Sequence, residues 1–193
     1  AALDLRGERV VAYADGGAMI GSRIVPSNTL DIAMGAEAEV YLTTADGAVE
    51  RRGYIGQTGW SDLPAVWRVP VALALGGRIS AGTHLAVTQP RGREAVLLDL
   101  DSGGETGRIR WPAGQGLWPT DVAALAPDAA FPTGIVLTAD LVAARVQGWN
   151  PIAPGPLRGD WPMGLLAGPR RLAVATVPDA VAAQAGARST TWV

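Results

Sequence analysis

His84 is the one histidine among 193 residues. It is the only side chain of ordinary pKa near neutrality. General-base work would require an orienting partner and a nucleophile within hydrogen-bond reach. The chain has no cysteine to serve as that nucleophile. The chemistry-bearing residues that follow are Asp99, Asp101, Ser102 and Glu105, in the run LDLDSGGETG. Acids spaced by glycines could wrap a hard cation. An EF-hand loop opened at Asp99 would, however, place Gly103 at its fifth position and Arg110 at its twelfth, where a bidentate glutamate is needed. A solvated acidic β-turn is the preferred reading. A second glycine-rich stretch, Gly16 to Gly21, follows a strand-like segment. Ala18 breaks the G-x-G-x-x-G spacing and no helix follows, so it is not read as a dinucleotide loop.

Asp101-Ser102-Gly103-Gly104 resembles the nucleophile loop of chymotrypsin-like serine proteases over those four residues. The resemblance implies a hydrolase with Ser102 attacking and His84 as base. Leu100 stands where that family has glycine, and Glu105 where it has proline. His84 also lies close upstream, whereas that family places its histidine in a distant segment.

Aromatic residues offer a different chemistry. The chain has 7 tryptophans. Trp111, Trp118 and Trp161 each precede a proline, which holds the preceding residue extended. Tryptophan and arginine are typical anchors of protein interfaces. Trp111, Trp118, Trp149, Trp161, Arg158 and Trp192 are therefore the candidate interface residues. Sugar stacking on Trp-Pro loops is the alternative use of the same rings.

The elements that must position these groups read as β. Ala65 to Leu75 alternates, with Trp67, Val69, Val71 and Leu73 on one face and Arg68, Pro70 and Ala72 on the other. Pro70 implies an edge position or a bulge. Gly76-Gly77 predicts a tight hairpin that returns through Ile79, Leu85 and Val87. Glu37 to Ile55 predicts another hairpin around a two-residue Asp46-Gly47 turn, with Tyr41 opposite Arg52. Arg9 to Asp15, Ile20 to Pro26, Glu94 to Leu100, Arg108 to Trp111 and Arg171 to Val177 read as further strands. Leu30 to Met34 is too short to assign. Gly134 to Val146 is one strand broken at Asp140, or a strand followed by a helical turn. Thr120 as N-cap predicts a short helix through Ala126, and Pro178 to Ala187 predicts a second. No repeat of fixed period emerges.

The expected fold is mainly β: an antiparallel sandwich or barrel-like domain of hairpins, with one or two short helices and long Pro/Gly-rich loops. A core over 1–148 would carry a Pro/Gly/Trp-rich extension over 149–193, packed on the same domain. The absence of cysteine excludes disulfides and Cys-based metal sites. All 16 basic residues are arginine, which excludes lysine Schiff-base chemistry and a P-loop lysine. A net charge of −2 gives no electrostatic case for nucleic acid. No signal peptide and no apolar run of membrane-spanning length is present. The balance points away from an enzyme and from any cofactor or metal. It points toward a structural or interaction protein of a multi-subunit assembly, such as a virion, tail or shell component. Such a protein would be homo-oligomeric, with protein subunits as partners and a cytoplasmic or virion-associated location. A ligand-binding β module that uses the Trp-Pro loops, with carbohydrate as one candidate ligand, and a hydrolase centred on His84 are the alternatives.

Overall fold

A computed structural model describes residues 2–4, 9–13, 16–35, 39–54, 65–71, 79–82, 84–89, 93–111, 119–125, 127, 131–152, 159–162, 172, 175–176 and 191–192. These form strands and turns, with no helix among the described residues. The first sheet is β1 (Ala2–Asp4), β2 (Arg9–Tyr13) and β3 (Met19–Ile24). The second is β4 (Thr29–Met34), β5 (Glu39–Thr44), β6 (Ala48–Tyr54) and β7 (Ala65–Pro70). The third is β8 (Ile79–Ala81), β9 (Leu85–Gln89), β10 (Glu94–Leu98) and β11 (Glu105–Arg110). The fourth is β12 (Pro119–Leu125), β13 (Ile135–Asp140), β14 (Arg145–Trp149) and β15 (Gly159–Pro162). A terminal pair joins β16 (Ala175–Thr176) to β17 (Thr191–Trp192). Every pairing is antiparallel between strands that follow one another in the chain, so each sheet is a meander.

The sheets stand side by side like blades. The leading strands β4, β8 and β12 are neighbours along one inner edge. Side-chain alternation then explains the packing, because the second and third sheets each bury their two faces against different neighbours. On β5, Val40 and Leu42 join Val10 and Ala12 of the first sheet. Tyr41, between them, joins Leu85, Val87, Val96 and Leu98 of the third. On β10 the interleaved Ala95 and Leu97 turn the other way, to Val122, Val136 and Trp149 of the fourth. A strand buried on both faces loses its polar alternation, which is why Ala95 to Leu98 reads as an unbroken apolar run. Burying a large side chain there stabilises by about 1.5–3 kcal/mol. Radial four-stranded meanders around a common inner edge are the architecture of a β-propeller.

Several expectations are corrected. The fold is mainly β and antiparallel as read, but it is neither sandwich nor barrel. Hydrophobic alternation tells that a strand has a face to bury and leaves open which sheet it joins. β7 and β8 do not form a hairpin: β7 pairs with β6 and β8 with β9. Gly76-Gly77 lies outside the described residues, between one sheet's outer strand and the next sheet's inner one. Pro70 does sit on an edge strand. The helix expected from Thr120 is strand β12. There Val122 packs toward the third sheet and Ala123 toward the opposite side, so a period of two overrides the capping signal. The helix expected over Pro178 to Ala187 lies outside the described residues. Asp46-Gly47 is a turn, but of three residues. Gly47 has φ +85° and is the only residue of the turn with positive φ. The extra loop residue slips the register by one, setting Tyr41 opposite Arg51 instead of Arg52.

Candidate functional site

The residues with the most chemistry converge where the second and third sheets meet. The connection from β10 to β11 is a tight turn. Asp99 organises it: its Oδ1 accepts from the backbone N–H of Asp101 (3.1 Å) and Ser102 (2.8 Å) and from the Ser102 hydroxyl (2.7 Å). The backbone closes the same loop, with Asp99 N–H donating to the Gly104 carbonyl at 2.8 Å and Gly103 N–H to the Asp99 carbonyl at 2.9 Å. These donors, the Ser102 backbone N–H first, hold the Asp99 carboxyl below the usual carboxylate range, and the nearby His84 adds to the effect.

The second sheet grips this turn. The Leu100 carbonyl accepts from the Trp67 indole (3.3 Å), the Arg51 guanidinium (3.3 Å) and the Tyr41 hydroxyl (3.4 Å). Arg51 also meets Asp101 at 2.9 Å and Glu39 at 3.9 Å. Gly103 has φ +71°, and a Cβ there would lie 2.8 Å from the Trp67 ring. The indole therefore seats flat on a glycine that can adopt the left-handed region. Tyr41 and Trp67 pack with ring centroids 6.1 Å apart. Beyond this grip the tip projects into solvent, with the Asp101 side chain 90% exposed. Ser102, Glu105 and Thr106 are exposed beside it. Arg108 bonds both Glu105 oxygens at 2.6 Å and Glu94 at 2.6 Å, fixing the start of β11.

His84 is at this rim, with its Nδ1 3.3 Å from the Thr106 hydroxyl. The Ser102 hydroxyl is directed to Asp99, the acceptor that holds the turn. The arrangement is a braced polar tip, with Ser102 turned to Asp99 and His84 beside the Thr106 hydroxyl, which also reaches the Leu97 carbonyl at 3.2 Å. Among the described residues no cluster of three or more His, Asp or Glu is placed to hold a metal. The opposite rim carries a second ionic group. Arg68 reaches Asp46 and also Glu50, the latter at 2.7 Å, and Arg52 bonds Glu50 as well. This stitches the three-residue loop to β7.

The tryptophans expected at an interface fall in different places. Trp111 and Trp149 are 5% and 6% exposed and meet edge to face at 5.6 Å between the third and fourth sheets. Their indole N–H groups are satisfied internally, by Gln147 at 3.2 Å and Thr138 at 2.9 Å. The two rings fill the space between the third and fourth sheets, and their buried partners offset the cost of burying each N–H. Trp118 and Arg158 lie outside the described residues. Trp161 is on the outer strand of the fourth sheet and Trp192 on β17. Sequence reasoning missed Arg51, Tyr41 and Leu100. Their contacts close over 49 to 59 residues, and no local pattern marks them.

Comparison with known proteins bears on the fold. No family model matches the chain, and no curated protein matches it. Solved structures do. BamB from Moraxella catarrhalis has a TM-score of 0.55 at 16% identity, over 84% of this chain and 45% of that one. Virginiamycin B lyase from Staphylococcus aureus gives 0.55 at 14%, over 84% and 51%. The β-propeller domain of Swd1 from Myceliophteria thermophila gives 0.53 at 11%, over 75% and 47%. The chain is β-propeller in fold. It spans about half the length of these structures. This corrects the assignment to a virion, tail or shell component, since the neighbours are propellers of other kinds.

Proposed function

We propose that the chain is a set of propeller blades that binds a protein partner, and that the turn between β10 and β11 receives a basic segment of that partner. The observation that carries the reading is Asp101. Its side chain is 90% exposed, while the backbone beneath it is braced by Asp99 on one side and by Arg51, Tyr41 and Trp67 on the other. A pre-ordered loop loses little conformational entropy on binding. Exposed acids at its tip steer a cationic partner. Glu39 keeps Arg51 paired when Asp101 turns to a partner.

The test is calorimetric titration with an arginine- and glycine-rich peptide. Binding is expected to weaken as salt rises. Asp101→Asn is expected to reduce affinity about three- to five-fold, the scale of an exposed ion pair. Asp46→Asn, on the opposite rim, leaves affinity unchanged. Equal affinity of Asp101→Asn and the unaltered chain contradicts the reading. Trp118, Arg158, Trp161 and Trp192 belong to the same proposal as further partner contacts, each checked by alanine substitution.

A further inference from the structure

The third sheet carries opposite charge at its two ends. β9, β10 and β11 run antiparallel, so the connection from β9 to β10 lies at the far end from the Asp101 turn. That connection is Pro90-Arg91-Gly92-Arg93. Arg110 closes β11 at the same end, opposite Glu94. Acids, Asp99, Asp101 and Glu105, therefore stand at one end and arginines at the other. Arg108 runs between them with its charge already used, since it bonds both Glu105 oxygens and one Glu94 oxygen at 2.6 Å. Glu94 is 13% exposed, and its second oxygen reaches Arg110 only at 3.4 Å. The Arg110 side chain is 74% exposed, and Arg93 is exposed too.

One backbone angle sets Arg93 apart. Its φ is +53°, in the left-handed region that favours glycine. The Trp111 N–H donates to the Arg93 carbonyl at 3.1 Å, which ties Arg93 to the residue that follows Arg110. Strain kept at an exposed, charged residue points to a task for its side chain.

We infer that Arg93 and Arg110 form a docking point for an acidic peptide segment of a protein partner. A guanidinium offers paired N–H donors that match a carboxylate. Both backbones are fixed, one by the strand and one by the Trp111 bond, so little order is lost when a carboxylate arrives. A nucleic acid fits less well, because its affinity grows with the number of phosphates neutralised. Here two guanidinium groups flank Glu94 in a chain of net charge −2. The carboxylates of a short acidic segment match that better than a run of phosphates does.

This surface lies at the opposite end of the sheet from the Asp101 turn, and the inference stands or falls apart from that reading. The test is calorimetric titration of the full chain with a peptide rich in glutamate and glycine. Binding is expected, and is expected to weaken as salt rises. Arg110→Gln is expected to reduce affinity about three- to five-fold, the scale of an exposed ion pair. Arg93→Gly is expected to reduce it by about as much while the melting temperature holds or rises, because glycine accepts the left-handed angle. A residue that only shaped the hairpin would not separate binding from stability in this way. No binding, an affinity indifferent to both substitutions, or tighter binding of a single-stranded oligonucleotide of equal charge overturns the inference.

Discussion

The outward face of the first sheet and the far face of the fourth are chemically alike and structurally opposite. On the fourth, Ala123, Ile135, Leu137 and Val146 are at most 7% exposed, with Phe131 and Leu172 packed against them. Leu172 is held there by its backbone N–H, which donates to the Asp121 carboxylate at 2.7 Å. On the first sheet, Tyr13, Met19 and Ile24 stand in solvent. Both faces arise from the same alternation of strand side chains. In a radial fold the burial of such a face is decided by whatever follows around the ring, and the strand's own residues do not settle it.

Truncating one residue on each face breaks or confirms that contrast. Leu137→Ala is expected to cost about 3–4 kcal/mol, because a nearly closed site collapses poorly around the cavity. Urea unfolding reads it as a lower midpoint at unchanged slope. Gly82→Val tests the inner edge where β8 meets β12. A Cβ at Gly82 would lie 2.7 Å from the Ala124 carbonyl carbon, so β8 and β12 must separate. About 2–3 kcal/mol is expected for that overpacking, read as a fall in melting temperature. Trp67→Phe removes one donor to the Leu100 carbonyl and is expected to cost about 1 kcal/mol. Met19→Ala is expected to change stability by less than about 0.5 kcal/mol. A large loss there would show that the first face is covered.

Acid sharpens the picture of the latch between the second and third sheets. The Asp99 carboxyl is held below its ordinary range, chiefly by the Ser102 backbone N–H. A depressed folded-state pKa contributes stability that is complete above the unfolded value. That stability is lost as pH falls through the folded value. Protection of the Ser102 N–H, measured against the intrinsic exchange rate at each pH, is therefore expected to hold through the ordinary carboxylate range and to fall only as pH drops through the lowered Asp99 value. Asp99→Asn is expected to remove the pH dependence.

Strand chemistry was legible in the sequence, and the way strands assemble was not. The strands at Arg9, Glu94 and Glu39 follow from alternation and β-branched content, and Pro70 correctly marks an edge. The propeller repeat escaped because β4, β8 and β12 begin at residues 29, 79 and 119, giving spacings of 50 and 40 with no shared motif. Thr120 and Asp121 carry a helix-start signature. Asp121 instead spends its carboxylate on Val122 and Leu172, a partner 51 residues away. The three-residue turn at Asp46 looked like a two-residue one because Asp-Gly suits both, and only the φ of the preceding residues separates them. At the rim, Asp101 and Ser102 were legible as an acidic turn. Its bracing by Arg51, Tyr41 and Trp67 depends on contacts between sheets, which no local spacing encodes.

The radial packing of the third and fourth sheets is the claim on which the rest depends. The direct measurement is the nuclear Overhauser effect between the Gly82 α-protons and the Leu125 amide in labelled protein. In the structure a substituent on Gly82 would approach the Leu125 nitrogen to 2.8 Å, so a strong cross-peak is expected. Its absence, together with cross-strand contacts joining Val69 or Val71 to Ile79, would restore the β7–β8 hairpin and contradict the propeller.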